Sequence, residues 1–127
     1  MRTRLIIMIS SFLICIATCV FSNLYVGDAM NTVIKEAEKM ETYLAENQTK
    51  DAFQSAEKLE KQIDQKQQLL EGLVPHEDLH DLSVQITDTA LSIKIGDLDD
   101  CKKALALMKE NAEHLIKHEA FLLGNIF

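Results

Sequence analysis

Residues 79–116 read LHDLSVQITDTALSIKIGDLDDCKKALALMKENAEHLI. Two apolar periods meet here across one short piece of punctuation. Upstream, Leu79, Leu82, Ile86, Ala90 and Ile93 recur at three- and four-residue steps. Downstream, Cys101, Ala104, Leu105, Met108, Ala112, Leu115 and Ile116 do the same. Such spacing lines apolar side chains along one stripe of an α-helix. Between them, Gly96 supplies a residue that adopts the left-handed conformation closing a helix, and Asp97 supplies the side-chain oxygen that opens the next. A connection this short makes the two helices antiparallel neighbours. Val84, Leu91 and Ile95 widen the upstream stripe, which predicts that this helix is the most buried.

The same period continues outward from this hairpin. The upstream helix starts near His76, where Pro75 fits the first turn of a new helix and stops the previous one. That previous helix is expected from about Lys50 to Leu73, on the stripe Phe53, Ala56, Leu59, Ile63, Leu70 and Leu73. Thr49 is its expected N-cap and Asp51 lies in its first turn, where a carboxylate favours the helix dipole. Before it, Met30, Val33, Ile34, Ala37, Met40 and Leu44 mark another helix, broken at Asn47-Gln48-Thr49. The last helix is expected to run from about Leu98 to Glu119 or a little beyond. The apolar tail Phe121-Leu122-Leu123-Gly124-Asn125-Ile126-Phe127 is expected to close the base of the core, with contact to lipid headgroups as the alternative. The breaks at Thr49 and Asp97 are 48 residues apart, and Ala56 and Leu59 then align with Ala104 and Leu107, a hint of a repeated hairpin. The expected fold is all-α: an antiparallel four-helix bundle or two stacked helical hairpins, preceded by one transmembrane helix.

That transmembrane helix is read from Leu5 to Val26, LIIMISSFLICIATCVFSNLYV, 22 residues without a charge. As a helix it spans about 33 Å, enough to cross a bilayer core. Arg2 and Arg4 flank it on one side and the next positive charge is Lys35. The positive-inside bias therefore puts residues 1–27 at the cytoplasmic face and in the membrane, and residues 28–127 outside as one helical domain. The rival reading is a cleaved signal peptide, with Val20 and Ser22, or Gly27 and Ala29, as the small-residue cleavage pair. The apolar run is longer than a usual signal peptide's, and no A-x-A motif ends it, so the anchor is preferred. Ile16-Ala17-Thr18-Cys19 resembles a lipobox only faintly, because Thr18 is a poor residue before a modified Cys.

Charge and composition narrow the partners. From Gly27 onward there are 11 Lys/Arg against 20 Asp/Glu, a net of −9. An acidic body lacks the basic footprint that nucleic-acid binding needs. The absence of Trp, one Pro and four Gly disfavour an all-β fold built on many turns. Three Cys, two of them in the apolar N-terminal run, give no disulfide framework.

The histidines carry the one chemical motif. His76-Glu77-Asp78-Leu79-His80 fits H-E-x-x-H, in which two His one turn apart bind zinc and the Glu activates a bound water. The match stands at the start of a helix, with charge around it and no further ligand motif downstream. A zinc metallopeptidase is therefore the least favoured reading. A second pair, His114 and His118, has the same four-residue spacing. In an antiparallel hairpin turning at Gly96 and Asp97, His76 comes level with His118 and His80 with His114. A Zn²⁺ site of these four side chains is one alternative. A pH response is another, because clustered imidazoles repel one another on protonation. The blander reading, a structural polar cluster, is preferred, and no cofactor is expected.

The chain also resembles a domain-of-unknown-function family of small bacterial proteins from clostridia and related spore-forming Firmicutes. The resemblance rests on Asp51-Ala52-Phe53 followed by Ala56, on His76-Glu77-Asp78-Leu79, and on Gly96-Asp97. Glu113-His114-Leu115, Glu119 and Asn125-Ile126-Phe127 complete it, so it covers nearly the whole chain. This sequence departs from the family pattern in having Phe53 where Trp is more usual, and in the additional His80 and His118. The resemblance implies one membrane anchor and a helical body, but no chemistry. The expectation is a non-enzymatic, single-pass membrane protein with an extracytoplasmic helical body. It would act at the cell envelope, or in sporulation-related assembly, through contacts with another protein or a second copy of itself.

Overall fold

The computed structural model describes residues 1–126, except for the side chains of residues 122, 123, 125 and 126. Its elements are α1 (Arg2–Ala45), α2 (Thr49–Leu73), α3 (His76–Ile95) and α4 (Leu98–Ile126). Each helix packs on its sequence neighbours, and α4 returns to pack on α1, so the ring closes. The result is an up-down-up-down four-helix bundle. Apolar stripes from all four helices meet inside it, with Met30, Met40, Leu59, Leu82, Ile86, Leu105 and Met108 among its largest fully buried side chains.

The charge-free N-terminal run and the first bundle helix are one element. α1 has 44 residues and is about 66 Å long. Gly27 does not interrupt it, because no proline or left-handed residue accompanies the glycine. Packing begins below the charge boundary at Asp28: Val26 is already fully buried, and Ser22 bonds to α4. The residues from Leu5 to Phe21 continue below the packed core as a helical stalk whose large apolar side chains, Ile16 excepted, are exposed.

The connections follow local chemistry. Asn47, at φ 59°, makes the turn between α1 and α2, a conformation Asn tolerates better than most residues. Gln48, not Thr49, occupies the cap position of α2, and its side chain makes no capping bond. Thr49 is the first helical residue instead. Val74 is extended, as expected of a residue before proline, and its amide still donates to Leu70. Gly96 closes α3 at φ 80°, and the Asp100 amide donates to Asp97 Oδ1 at 3.1 Å, so both halves of that punctuation form as expected.

Two expectations fail. Val84, Leu91 and Ile95 are 42%, 55% and 66% exposed, so they do not widen the buried stripe of α3, although among the described residues α3 still buries the largest share of its length. A helix in a closed ring touches two neighbours, and these three positions form a line on its outward side. The repeat alignment also breaks, because Leu59 is fully buried while its counterpart Leu107 is exposed.

Candidate functional site

The histidines were the sequence's candidate ligands, and two hydrogen bonds show where they point. Asn111 Nδ2 donates to Gln85 Oε1 at 2.7 Å, which marks the face of α3 turned to α4. Two helical turns along from this bond, His118 is level with Asp78 and His114 with Leu82 or thereabouts. The histidine pairs do share one level of the bundle. They do not share a face. Thr87 Oγ1 donates to Glu60 Oε1 of α2 at 3.3 Å, so Thr87 lies on the α2 side of α3. His80 stands seven residues before Thr87, on the same side.

His76 and His80 lie together, ring centroids 6.4 Å apart and roughly parallel, and both are exposed. His114 is exposed; His118 is half-buried, and its Nδ1 has no hydrogen-bond partner. Among the described residues, no three His, Cys, Asp or Glu side chains gather closely enough to hold a metal. The H-E-x-x-H match occupies the exposed first turn and a half of α3, with Glu77 also exposed.

Three features outside the histidines are more developed. The first is the lower seam between α1 and α4. Ser22 Oγ donates to Glu119 Oε2 at 3.4 Å, and Glu119 is only 6% exposed. Higher up, Lys109 pairs with Glu41 at 2.7 Å across the same two helices, where both side chains remain partly in water. Such a pair contributes at most about 1 kcal/mol. The signal for the seam in the sequence was Glu119 itself, an acid on the buried stripe of α4.

The second feature is an open groove between α3 and α4 near the upper end, with a volume of about 260 Å³. Leu91, Ile95 and Leu107 give it apolar walls, and Asp88, Asp100 and Lys103 give it a charged rim. Sequence periodicity missed it because it counted Leu91 and Ile95 as core.

The third is a cavity of about 330 Å³ between α1 and α4 at the same end. Glu41, Leu44, Leu98, Lys102 and Leu105 line it. Close by, Cys101 is fully buried, and burial together with the Asp97 carboxylate pushes its thiol pKa up. That makes it a packing residue rather than a nucleophile.

The sequence profile of a family described as a domain of unknown function, DUF4363, matches residues 20–126. The match begins where α1 enters the bundle. No curated protein and no solved structure matches the chain.

Proposed function

We propose that this chain, which belongs to the DUF4363 family, is a single-pass membrane protein whose bundle stands outside the membrane and binds another protein. The observation that carries the reading is the stalk of α1. It is the one candidate span among the described residues, with a mean hydropathy of 2.5 and no residue of its most apolar window buried. Each large apolar side chain left in water forgoes about 1.5–3 kcal/mol of burial. A stalk of this composition needs lipid around it, and a helix satisfies its backbone there.

Cleavage as a signal peptide fits the packing less well. A cut after Ala29 would remove Val26 and Ala29 from the core, and a cut after Ser22 would remove the partner of Glu119. Arg2 and Arg4 favour a cytoplasmic N-terminus, which directs the acidic bundle outward.

The partner-binding part of the reading is supported by the upper groove. Leu91, Ile95 and Leu107 expose apolar surface together at the end farthest from the stalk. Apolar walls inside a charged rim are the composition of a protein-binding patch. The role is non-enzymatic and belongs to the cell envelope.

The test is alkaline carbonate extraction of membranes from cells expressing the full chain. The chain is expected to stay in the pellet at its full mass. Ile9→Asp with Leu13→Asp, each costing about 2.5–3.5 kcal/mol at the centre of a span, is expected to release it. A carbonate-soluble wild type, or a mature chain starting after residue 22 or 29, would overturn the reading.

A further inference from the structure

We infer that the end of α4, from Phe121 onward, is a second membrane contact, inserted into the lipid interface beside the stalk of α1. This rests on the reading of the stalk as a membrane span. A bilayer core of about 30 Å takes about 20 helical residues. Counted from Leu5, that length ends at Leu24, just before Tyr25, which suits the interface. Ser22 therefore lies inside the last turn of the span, and its partner Glu119 sits at the same level.

α4 does not stop there. It is antiparallel to α1 and remains helical to Ile126, seven residues past Glu119. Those residues carry it about 10 Å further, past the level at which the span begins. From Ala120 to Phe127 the sequence contains no charged side chain, whereas Glu113, His114, Lys117, His118 and Glu119 crowd the turns before it. Phe121 is 65% exposed at the place where the chain would enter lipid.

α1 carries a matching sign. Its bundle-facing stripe of Met30, Val26 and Ser22 continues downward through Cys19 to Ile16, and both are half-buried between exposed neighbours. The α1–α4 seam thus extends below the bundle, into the level of the span. The stalk of α1 is apolar and exposed on its other sides at this level, and Phe121 with the charge-free sequence after it matches that character, which commits the end of α4 to lipid rather than to a protein partner. A second apolar contact beside a span holds the bundle at a fixed angle to the membrane, where a lone stalk would let it swivel.

The chain has no Trp, so single substitutions give clean fluorescent reporters. The full chain is reconstituted in phosphatidylcholine–phosphatidylglycerol vesicles, with and without lipids brominated near the headgroup end of the acyl chain. Phe121→Trp is expected to lose at least half its emission to the bromines, and Phe53→Trp, at the far end of the bundle, to lose none. Phe12→Trp, quenched by bromines placed deep in the chain, reports on the span itself. Gly124→Trp repeats the Phe121 measurement at a second position, where nothing lies within 4 Å of an added Cβ. Quenching of Phe12→Trp without quenching of either α4 reporter would overturn the inference and leave the anchor standing. Loss of quenching at Phe12→Trp as well would overturn both.

Discussion

Ser22 and Glu119 are 97 positions apart and joined by a 3.4 Å hydrogen bond, with Ser22 as the donor. The bond is long for a hydroxyl donor, and it is the one polar tie recorded for the Glu119 carboxylate among the described residues. Glu119 is 6% exposed, so little of the residue touches water. Glu119→Gln keeps the shape and the acceptor oxygen but drops the charge, so it is expected to melt at or above the wild-type temperature. Ser22→Ala removes one hydrogen bond and is expected to cost about 0.5–1.5 kcal/mol. Thermal unfolding of the full chain in detergent checks both; a Glu119→Gln variant that melts well below wild type would show the charge to be compensated.

Core and groove separate by substitution. Ile86 is 1% exposed, and Ile86→Ala is expected to cost about 2–5 kcal/mol of stability. Leu91→Ala and Leu107→Ala remove exposed side chains and are expected to change stability by no more than about 0.5 kcal/mol. If the upper groove binds a protein, those two variants fold normally yet lose a crosslinked product that wild type forms in intact cells. Retention of the product in both would place the contact elsewhere.

Cys101 gives a pH-dependent signature. Its thiol pKa is raised in the folded protein by burial and by Asp97. The unfolded chain loses that proton first, near a pH of about 8.5. Stability from this group is therefore fully present below that pH and declines as pH rises through it and toward the raised folded value. Cys101→Ala is expected to be less stable than wild type at pH 7, with the gap narrowing toward pH 10. Denaturant titrations at the two pH values would read it, and a gap independent of pH would contradict it.

Zinc is expected to leave the melting temperature of the full chain unchanged, because His80 lies on the α2 side of α3, away from His114 and His118 on α4. A ligand at 100 times its dissociation constant stabilises the folded state by about 2.7 kcal/mol, which is easily seen. A zinc-dependent rise that disappears in both His76→Ala and His114→Ala would show that the four side chains reorganise around a metal.

The histidines show what a sequence can and cannot encode about a bundle. Counting residues from the turn at Gly96 and Asp97 fixes the level of each side chain, and the level is right to within about a turn. It does not fix the face, which depends on how α2 and α4 divide the surface of α3. The hydrogen bonds of Thr87 and Gln85 settle that division, and neither could be read from apolar spacing. Val84, Leu91 and Ile95 failed for a related reason: an apolar side chain on a helix is legible, but whether a neighbour covers it is not. Gly96 and Asp97 were legible because their roles are set by their own backbones. The continuity of α1 was only half legible, since a charge-free run marks solvent preference and not the point at which packing starts.

Whether the bundle stands outside a membrane that α1 crosses is tested most directly by protease accessibility in intact cells. A protease added to protoplasts of cells expressing the full chain with a tag at its C-terminus is expected to remove the tag while a cytoplasmic marker survives. Protection of the tag until the cells are lysed, with the chain still in the membrane, would put the bundle on the cytoplasmic side and contradict the orientation proposed.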